Sequence, residues 1–271
     1  MIKKLMYLFM LLPLTACSGQ AMIVSDDFIV HAFKVGKADS LLISHQGEYV
    51  LIDTGEEDDG EKILRHLQSN NINKLKALVI THYDKDHVGG ADSLVNALDI
   101  EHVFVPNYES DSKQTREFLQ AIDNKQLVLE KITGISELTV GEVKGEMYPT
   151  MQTMEGDNDH SLVISLRHGD TGFLFAGDIE APRIAELLMD TAIRMPHTFL
   201  KVPHHGRFNE QTTAFIEAVR PMYALITSSD KNPEHDETVA ALEAVNAHIF
   251  TTRKGDIEFH SDGEEITVRE D

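Results

Sequence analysis

The stretch THYDKDHVGG, residues 81–90, sets two imidazoles and two carboxylates within six positions and then turns on a pair of glycines. His82, Asp84, Asp86 and His87 fall at i, i+2, i+4 and i+5, so an irregular loop can aim alternate side chains at one point. Bringing unpaired carboxylates and imidazoles together costs repulsion and desolvation unless a cation lies among them. The chemistry such a loop suits is metal binding. It follows the apolar run ALVI, which reads as a buried strand, and it ends where a helix begins. In α/β sheets that carboxyl edge is where ligands bind.

The elements around the loop can be read from periodicity. DDFIVHAFKV and DSLLISHQGEYVLIDTG read as three strands with a glycine turn at QGE. DDGEKILRHLQSN puts Ile63, Leu64 and Leu67 on one helical face, and KALVI returns as a fully apolar strand. GGADSLVNALDI (helix), HVFVP (strand) and SDSKQTREFLQAIDN (helix, with a serine or aspartate cap) continue the alternation, and shorter strand-like runs lead to GEMYP. From Ser161 the outline repeats. SLVISLRH and GFLFAGD form a hairpin, APRIAELLMD a helix with Pro182 near its start, and TFLKV a strand. NEQTTAFIEAVR (helix), MYALIT (strand), DETVAALEAVN (helix), and the strands HIFTT, GDIEFH and EEITVRE complete the chain. Two sheets with helices outside both is the economical packing, and no linker separates the halves.

HYDKDHVGG resembles the H-x-[HD]-x-D-H signature of the metallo-β-lactamase superfamily. The aspartate at its third position is similar to the branch found in the extracytoplasmic hydrolase domain of competence DNA-uptake channel (ComEC-type) proteins. That branch opens with D-V-G-Q-G-D-S. KVGKADS matches it at Val35, Gly36, Asp39 and Ser40 and departs from it at Lys34, Lys37 and Ala38. LIDTG, NDHSLVISL, FAGDIE, LKVPHHG and NPEHDETVAAL extend the resemblance over roughly residues 28 to 260, with Arg207 where a serine is usual and no proline after His235.

The resemblance implies an α/β fold, specifically a four-layer α/β/β/α sandwich, with two divalent metal ions at the sheet edges. It implies that His82, Asp84 and His160 bind one ion, that Asp86, His87 and His204 bind the other, and that Asp178 bridges them. Asp53 is expected to orient an imidazole from behind. Asp178 also suits a cap for the helix near Glu180, and His160 a surface turn. Within HHG one histidine is the expected ligand; His204 is assigned that part and His205 is expected to meet substrate. Asp86, His205 and His235 are the residues expected to act in catalysis, with His205 or His235 protonating the leaving group.

Three ligand carboxylates against two divalent ions favour a metal-bridging hydroxide, and hydrolysis of a phosphodiester, small or polymeric, fits a paired cation site best. Zinc is the expected occupant. Asp84 makes the first site richer in oxygen, which suits manganese or iron as well. β-Lactam hydrolysis is disfavoured because the lactamase pattern has histidine at that position. The alternatives are a metal-dependent nuclease like the competence-protein domain and a non-catalytic envelope binding module with structural metals.

The 271 residues, 42% apolar and 25% charged, are those of an ordinary globular protein. With 24 basic against 45 acidic residues the net charge is -21, which repels polyphosphate at long range and disfavours nucleic acid as a partner. MIKK followed by LMYLFMLLPLTA reads as an export signal, and LTAC resembles the lipobox of bacterial lipoproteins. The expected organisation is a signal peptide over 1–16, a short tether over 17–25 and a metallo-hydrolase domain over 26–271. A lipidated Cys17 would hold the domain to a membrane in the cell envelope, on the periplasmic face of a Gram-negative cell.

Overall fold

The structure is a computed structural model that describes residues 26–270. The export segment, the 17–25 tether and Cys17 lie outside those residues. The first sheet begins with β1 (Phe28–Ala32), β2 (Leu41–His45) and β3 (Glu48–Ile52), joined by short loops. Gln46 and Gly47 both take positive φ, 51° and 81°, which is the turn that closes a two-residue hairpin between right-twisting strands.

The β-α alternation follows as expected. It runs through α1 (Asp59–Ser69), β4 (Lys74–Val79), α2 (Lys85–Val88), α3 (Ala91–Ala97), β5 (Asp99–Pro106), α4 (Lys113–Asn124) and β6 (Leu129–Ile132). Ser112 caps α4 by accepting from the Thr115 N–H. The second sheet takes β7 (Ser136–Val140), β8 (Val143–Tyr148), β9 (Val163–His168), β10 (Thr171–Phe175), β11 (Phe199–Lys201), β12 (Tyr223–Ile226) and β13 (His248–Thr251). Its helices are α5 (Ala181–Met189), α6 (Thr212–Val219) and α7 (Asp236–Ala244).

The chain does not end in the second sheet. β14 (Ile257–Ser261) and β15 (Ile266–Glu270) return to the first, where β14 pairs antiparallel with β1. The strand orders are β15-β14-β1-β2-β3-β4-β5-β6 and β13-β12-β11-β10-β9-β8-β7. In each sheet one half is antiparallel and the other parallel.

Three apolar cores separate four layers. Phe28, Ile43, Val50, Phe173, Phe199 and Phe259 fill the space between the sheets. Ile63, Leu67, Leu94 and Phe118 pack the helices α1, α3 and α4 on the outer face of the first sheet. Ile184, Leu187, Phe215, Ile216 and Leu242 do the same for α5, α6 and α7 on the second. The arrangement is the α/β/β/α sandwich. Among the described residues, no helix is long and apolar enough to cross a membrane.

The glycine pair behind the histidine loop is needed for closeness and not for unusual dihedrals. Gly89 and Gly90 have φ of -56° and -87°, which any residue adopts. A Cβ on Gly90, however, would lie 2.6 Å from the Thr54 carbonyl oxygen and 2.7 Å from the Gly60 Cα, both backbone atoms. Gly90→Ala therefore forces the start of α3 away from α1, and overpacking of this kind costs about 1–3 kcal/mol. The expected result is a lower urea midpoint with an unchanged slope; an unaltered midpoint would show that the two turns part freely.

Candidate metal centre

Parallel strands β3, β4, β10, β11 and β12 end at one edge of the sandwich, and each delivers a polar residue there. Asp53 follows β3, the loop from Thr81 to His87 follows β4, and Asp178 follows β10. Lys201 ends β11, a tight 3-10 turn over Pro203–Gly206 follows it, and Thr227 comes after β12. Backbone bonds lash these loops together. The Asp39 N–H donates to Asp86 C=O at 3.0 Å, Thr54 N–H to His87 C=O at 2.8 Å and His204 N–H to Gly177 C=O at 3.2 Å.

Three buried imidazoles face one point, and their neighbours fix which nitrogen is free. His87 Nδ1 lies 2.8 Å from Asp53 Oδ2, an acceptor that also takes the Thr81 hydroxyl, while Oδ1 takes the Thr81 N–H. The proton of a neutral His87 therefore sits on Nδ1. His82 Nδ1 lies 3.1 Å from Thr81 Oγ1 and 3.2 Å from Ser161 Oγ. Those hydroxyls donate elsewhere, to Asp53 and to the Asn158 carbonyl, so they accept from His82 Nδ1–H. His205 Nδ1 is 3.0 Å from the Thr227 carbonyl and again carries the proton.

In the neutral form all three rings thus turn an Nε2 lone pair inward. These Nε2 atoms are buried and form no hydrogen bond among the described residues. Asp178 Oδ2 lies at their meeting point, 3.3 Å from His87 Nε2 and, out of hydrogen-bond alignment, 3.0 Å from His205 Nε2. Asp86 Oδ2 is 3.6 Å from His205 Nε2. The sets of ligand atoms that fall within 4.8 Å of one another include His82, His87 and Asp178, and Asp86, His87 and His205. Converging, unpartnered nitrogens beside carboxylate oxygens fit divalent cations and leave those nitrogens poorly satisfied otherwise.

Electrostatics follow the same geometry. Burial would lower His87, but Asp178 and Asp53 beside it hold the ring well above histidine's usual range. His205 is raised likewise, against burial, by Asp178 and Asp39. Burial and the neighbouring His87 push His82 well down, so it is neutral. Burial would raise Asp178 and Asp86, yet His205 and His87 hold both below the carboxylate range, with Lys201 helping at Asp178 and Lys37 at Asp86. Asp84 is raised by burial and by Asp86.

Two lysines enter the site. Lys201 is wholly buried; its ammonium ion-pairs with Asp39, lies 3.4 Å from Asp178 Oδ1 and donates to the Gly177 carbonyl at 3.1 Å. It occupies the Asp178 oxygen that the imidazoles do not. The Lys37 ammonium is 3.2 Å from Asp86 Oδ2.

The structure places the two rings of the histidine pair the other way round from the expectation. His205 is the ring inside the cluster, whereas His204 Nδ1 lies 2.9 Å from Glu180 Oε1 and its Nε2 stays 3.9 Å from Asp178. The cause is the backbone: His204 and His205 are both left-handed, with φ of 46° and 53°, and the two rings diverge to an edge-to-face arrangement with centroids 6.1 Å apart. His160 does not join the cluster. It stacks on Tyr108 with ring centroids 4.4 Å apart, and its neighbour Ser161 is the residue that reaches His82.

Asp84 flanks His82 Nε2 at 3.9 Å. His235 lies in the adjoining cleft, its Nδ1 accepting from the Phe208 N–H at 3.2 Å. Asp178 is not a helix cap, for α5 begins at Ala181 without a side-chain cap. Thr81, Ser161, Thr227 and Lys201 were not singled out from the sequence. Their signal was adjacency to the motifs, and for Lys201 a charge inside an otherwise apolar strand.

Cations entering this site compete with the protons that Asp178 favours on His87 and His205. We expect metal uptake to release protons and affinity to fall with acid. Calorimetry in buffers of different ionisation enthalpy measures this, and a heat independent of buffer would contradict it. In the metal-free protein the raised histidines stabilise the fold fully below their unfolded value of about 6.5 and lose that effect as pH rises through the folded one.

Residues 34–227 match the pattern of the Metallo-beta-lactamase superfamily. The chain is 25% identical to ComE operon protein 3 of Bacillus subtilis over 94% of its own length and 34% of that protein. It is 28% identical to Recombination protein 2 of Haemophilus influenzae over 75% of its length and 24% of that protein. It therefore spans about a quarter to a third of these curated relatives. Among solved structures it superposes on the metallo-beta-lactamase fold protein YhfI from Bacillus subtilis with a TM-score of 0.59 at 11% identity, covering 87% of this chain and 100% of that one. By the extent of the family match and by its four layers, the chain belongs to the metallo-β-lactamase superfamily and is similar to the hydrolase domain of ComEC-type proteins.

Proposed function

We propose that the protein is a dinuclear metal-dependent phosphodiesterase, tethered to a membrane through Cys17. The observation that carries this reading is the convergence of three buried, unpartnered Nε2 atoms on Asp178. His82, Asp84 and Asp178 would hold one ion, and Asp86, His87 and His205 the other, with Asp178 shared. When bound, a pair of divalent ions supplies an activated water and draws charge from the phosphoryl oxygens. Zinc suits the imidazoles; Asp84 in the third loop position leaves manganese or iron as fitting occupants.

The remaining work falls to the chain. Asp53, Thr227 and the Thr81–Ser161 hydroxyl pair keep each ring in the tautomer that points a lone pair inward. Lys201 holds Asp178 by its other oxygen. His235 accepts a backbone N–H at Nδ1, so its neutral ring carries the proton on Nε2 and can donate it to a leaving oxygen in the cleft. The net charge of -21 favours small diesters over polymeric nucleic acid.

Metal-loaded protein is expected to turn over bis-p-nitrophenyl phosphate and leave nitrocefin intact. Asp86→Ala should abolish turnover, and Asp53→Ala should cost about 10–100-fold through loss of ring orientation. Parallel cleavage of single-stranded DNA, lost with the ester in Asp86→Ala, would favour the nuclease. Inertness of a metal-replete preparation on esters, thioesters and phosphodiesters alike would favour a binding module. Metal content separates the histidine pair: His205→Ala should lose one ion per chain while His204→Ala keeps two, and the reverse result would restore the assignment expected from the motif.

A further inference from the structure

The surroundings of the site are electrically lopsided. Beside His82 and His204 stand carboxylates, Asp84 and Glu180. Beside His205 and His235 runs a cleft of about 300 Å³ whose lining includes Lys37, Arg207 and Lys231. Among the described residues, the side chains of Arg207 and Lys231 form no ion pair and no hydrogen bond. The one carboxylate in the lining, Glu234, is already engaged by Arg253 and by the Ser228 hydroxyl at 2.7 Å.

A chain this acidic does not gather unneutralised cations at one lip of a cleft by composition alone. Nor does a simple phosphodiester need them, since its single negative charge is matched by the ions. Cations grouped in a cleft focus a local positive potential, and the planar guanidinium fork fits the oxygens of phosphate.

We propose that the cleft formed by Lys37, Arg207, Lys231 and His235 is a phosphate subsite that selects diesters carrying a second phosphate group next to the scissile one. The substrate class is a phosphodiester with a terminal phosphate, in preference to diesters whose substituents are neutral. His235 lies in the same lining, which puts the second phosphate on the leaving-group side. The inference rests on the phosphodiesterase reading for its substrate and on the cleft for its site.

The test uses the metal-loaded full chain and thymidine dinucleotides that bear no terminal phosphate, a 5′-phosphate or a 3′-phosphate. One phosphorylated isomer should show kcat/KM at least tenfold above the unphosphorylated dinucleotide, mostly through KM. In the double variant Arg207→Ser with Lys231→Ala, both exposed positions, that ratio should fall to about one. Calorimetric titration with inorganic pyrophosphate gives a readout independent of turnover, and the double variant should bind it at least tenfold more weakly. Equal kcat/KM for all three dinucleotides overturns the subsite and leaves the phosphodiesterase. No turnover, with pyrophosphate still bound more weakly by the variant, overturns the phosphodiesterase and leaves an anion site. No turnover and equal pyrophosphate affinity overturns both.

Discussion

The charge of Asp178 is the constraint around which this edge of the sandwich is organised. Its side chain is about 3% exposed, and an isolated carboxylate at that depth would give up its charge. It stays ionised because His87, His205 and Lys201 surround it, from the helix after β4, the turn after β11 and the end of β11 itself. Removing one partner of such a buried group typically costs 3–5 kcal/mol, roughly what separates a stable fold from a marginal one. The parallel halves of both sheets are what let these distant segments end side by side. The antiparallel half of the first sheet, extended by β14 and β15, supplies Phe28 and Phe259 to the core between the sheets.

That arrangement stores backbone strain, and the hydrogen bonds explain why it persists. Asp53, His204 and His205 are non-glycine residues in the left-handed region, at about 1–3 kcal/mol each. Asp53 is held by its N–H to the Val79 carbonyl and by three donors on its carboxylate. His204 is held by Gly177, and His205 by Thr227. Rings clamped in this way need no reordering when a cation arrives, which is the benefit of a preorganised site.

What the sequence disclosed was mostly local. The loop at 81–90, the amphipathic α1 and α4, the Ser112 cap and the QGE turn depend on neighbours a few residues apart, and spacing reveals them. The return of β14 to pair with β1 depends on contacts more than 200 positions apart, so the terminal strands looked like a continuation of the second half. The order within His204–His205 turned on a left-handed backbone that no side-chain pattern encodes. His160 and Ser161 differ by one position at the end of a tight turn, and it is Ser161, the residue that leaves the turn, whose side chain reaches His82. The lysine in TFLKV could have been read as functional, because a charge inside a fully apolar strand is seldom buried without a partner.

The two lysines bear on how strongly the site would act on an anion. Lys201 takes one oxygen of Asp178, and Lys37 lies against Asp86. A carboxylate that shares its charge with an ammonium donates less of it to a cation bound on its other side. Ions held by such ligands would keep more of their positive potential for the substrate, at some loss of affinity for the ions themselves. Lys37 also lines the cleft with Arg207 and Lys231, so a protein of net charge -21 groups three cations beside His205. Overall acidity sets which polymers approach from a distance; at contact, the pairing of Asp178 with Lys201 and of Asp86 with Lys37 lowers the negative charge that the site presents.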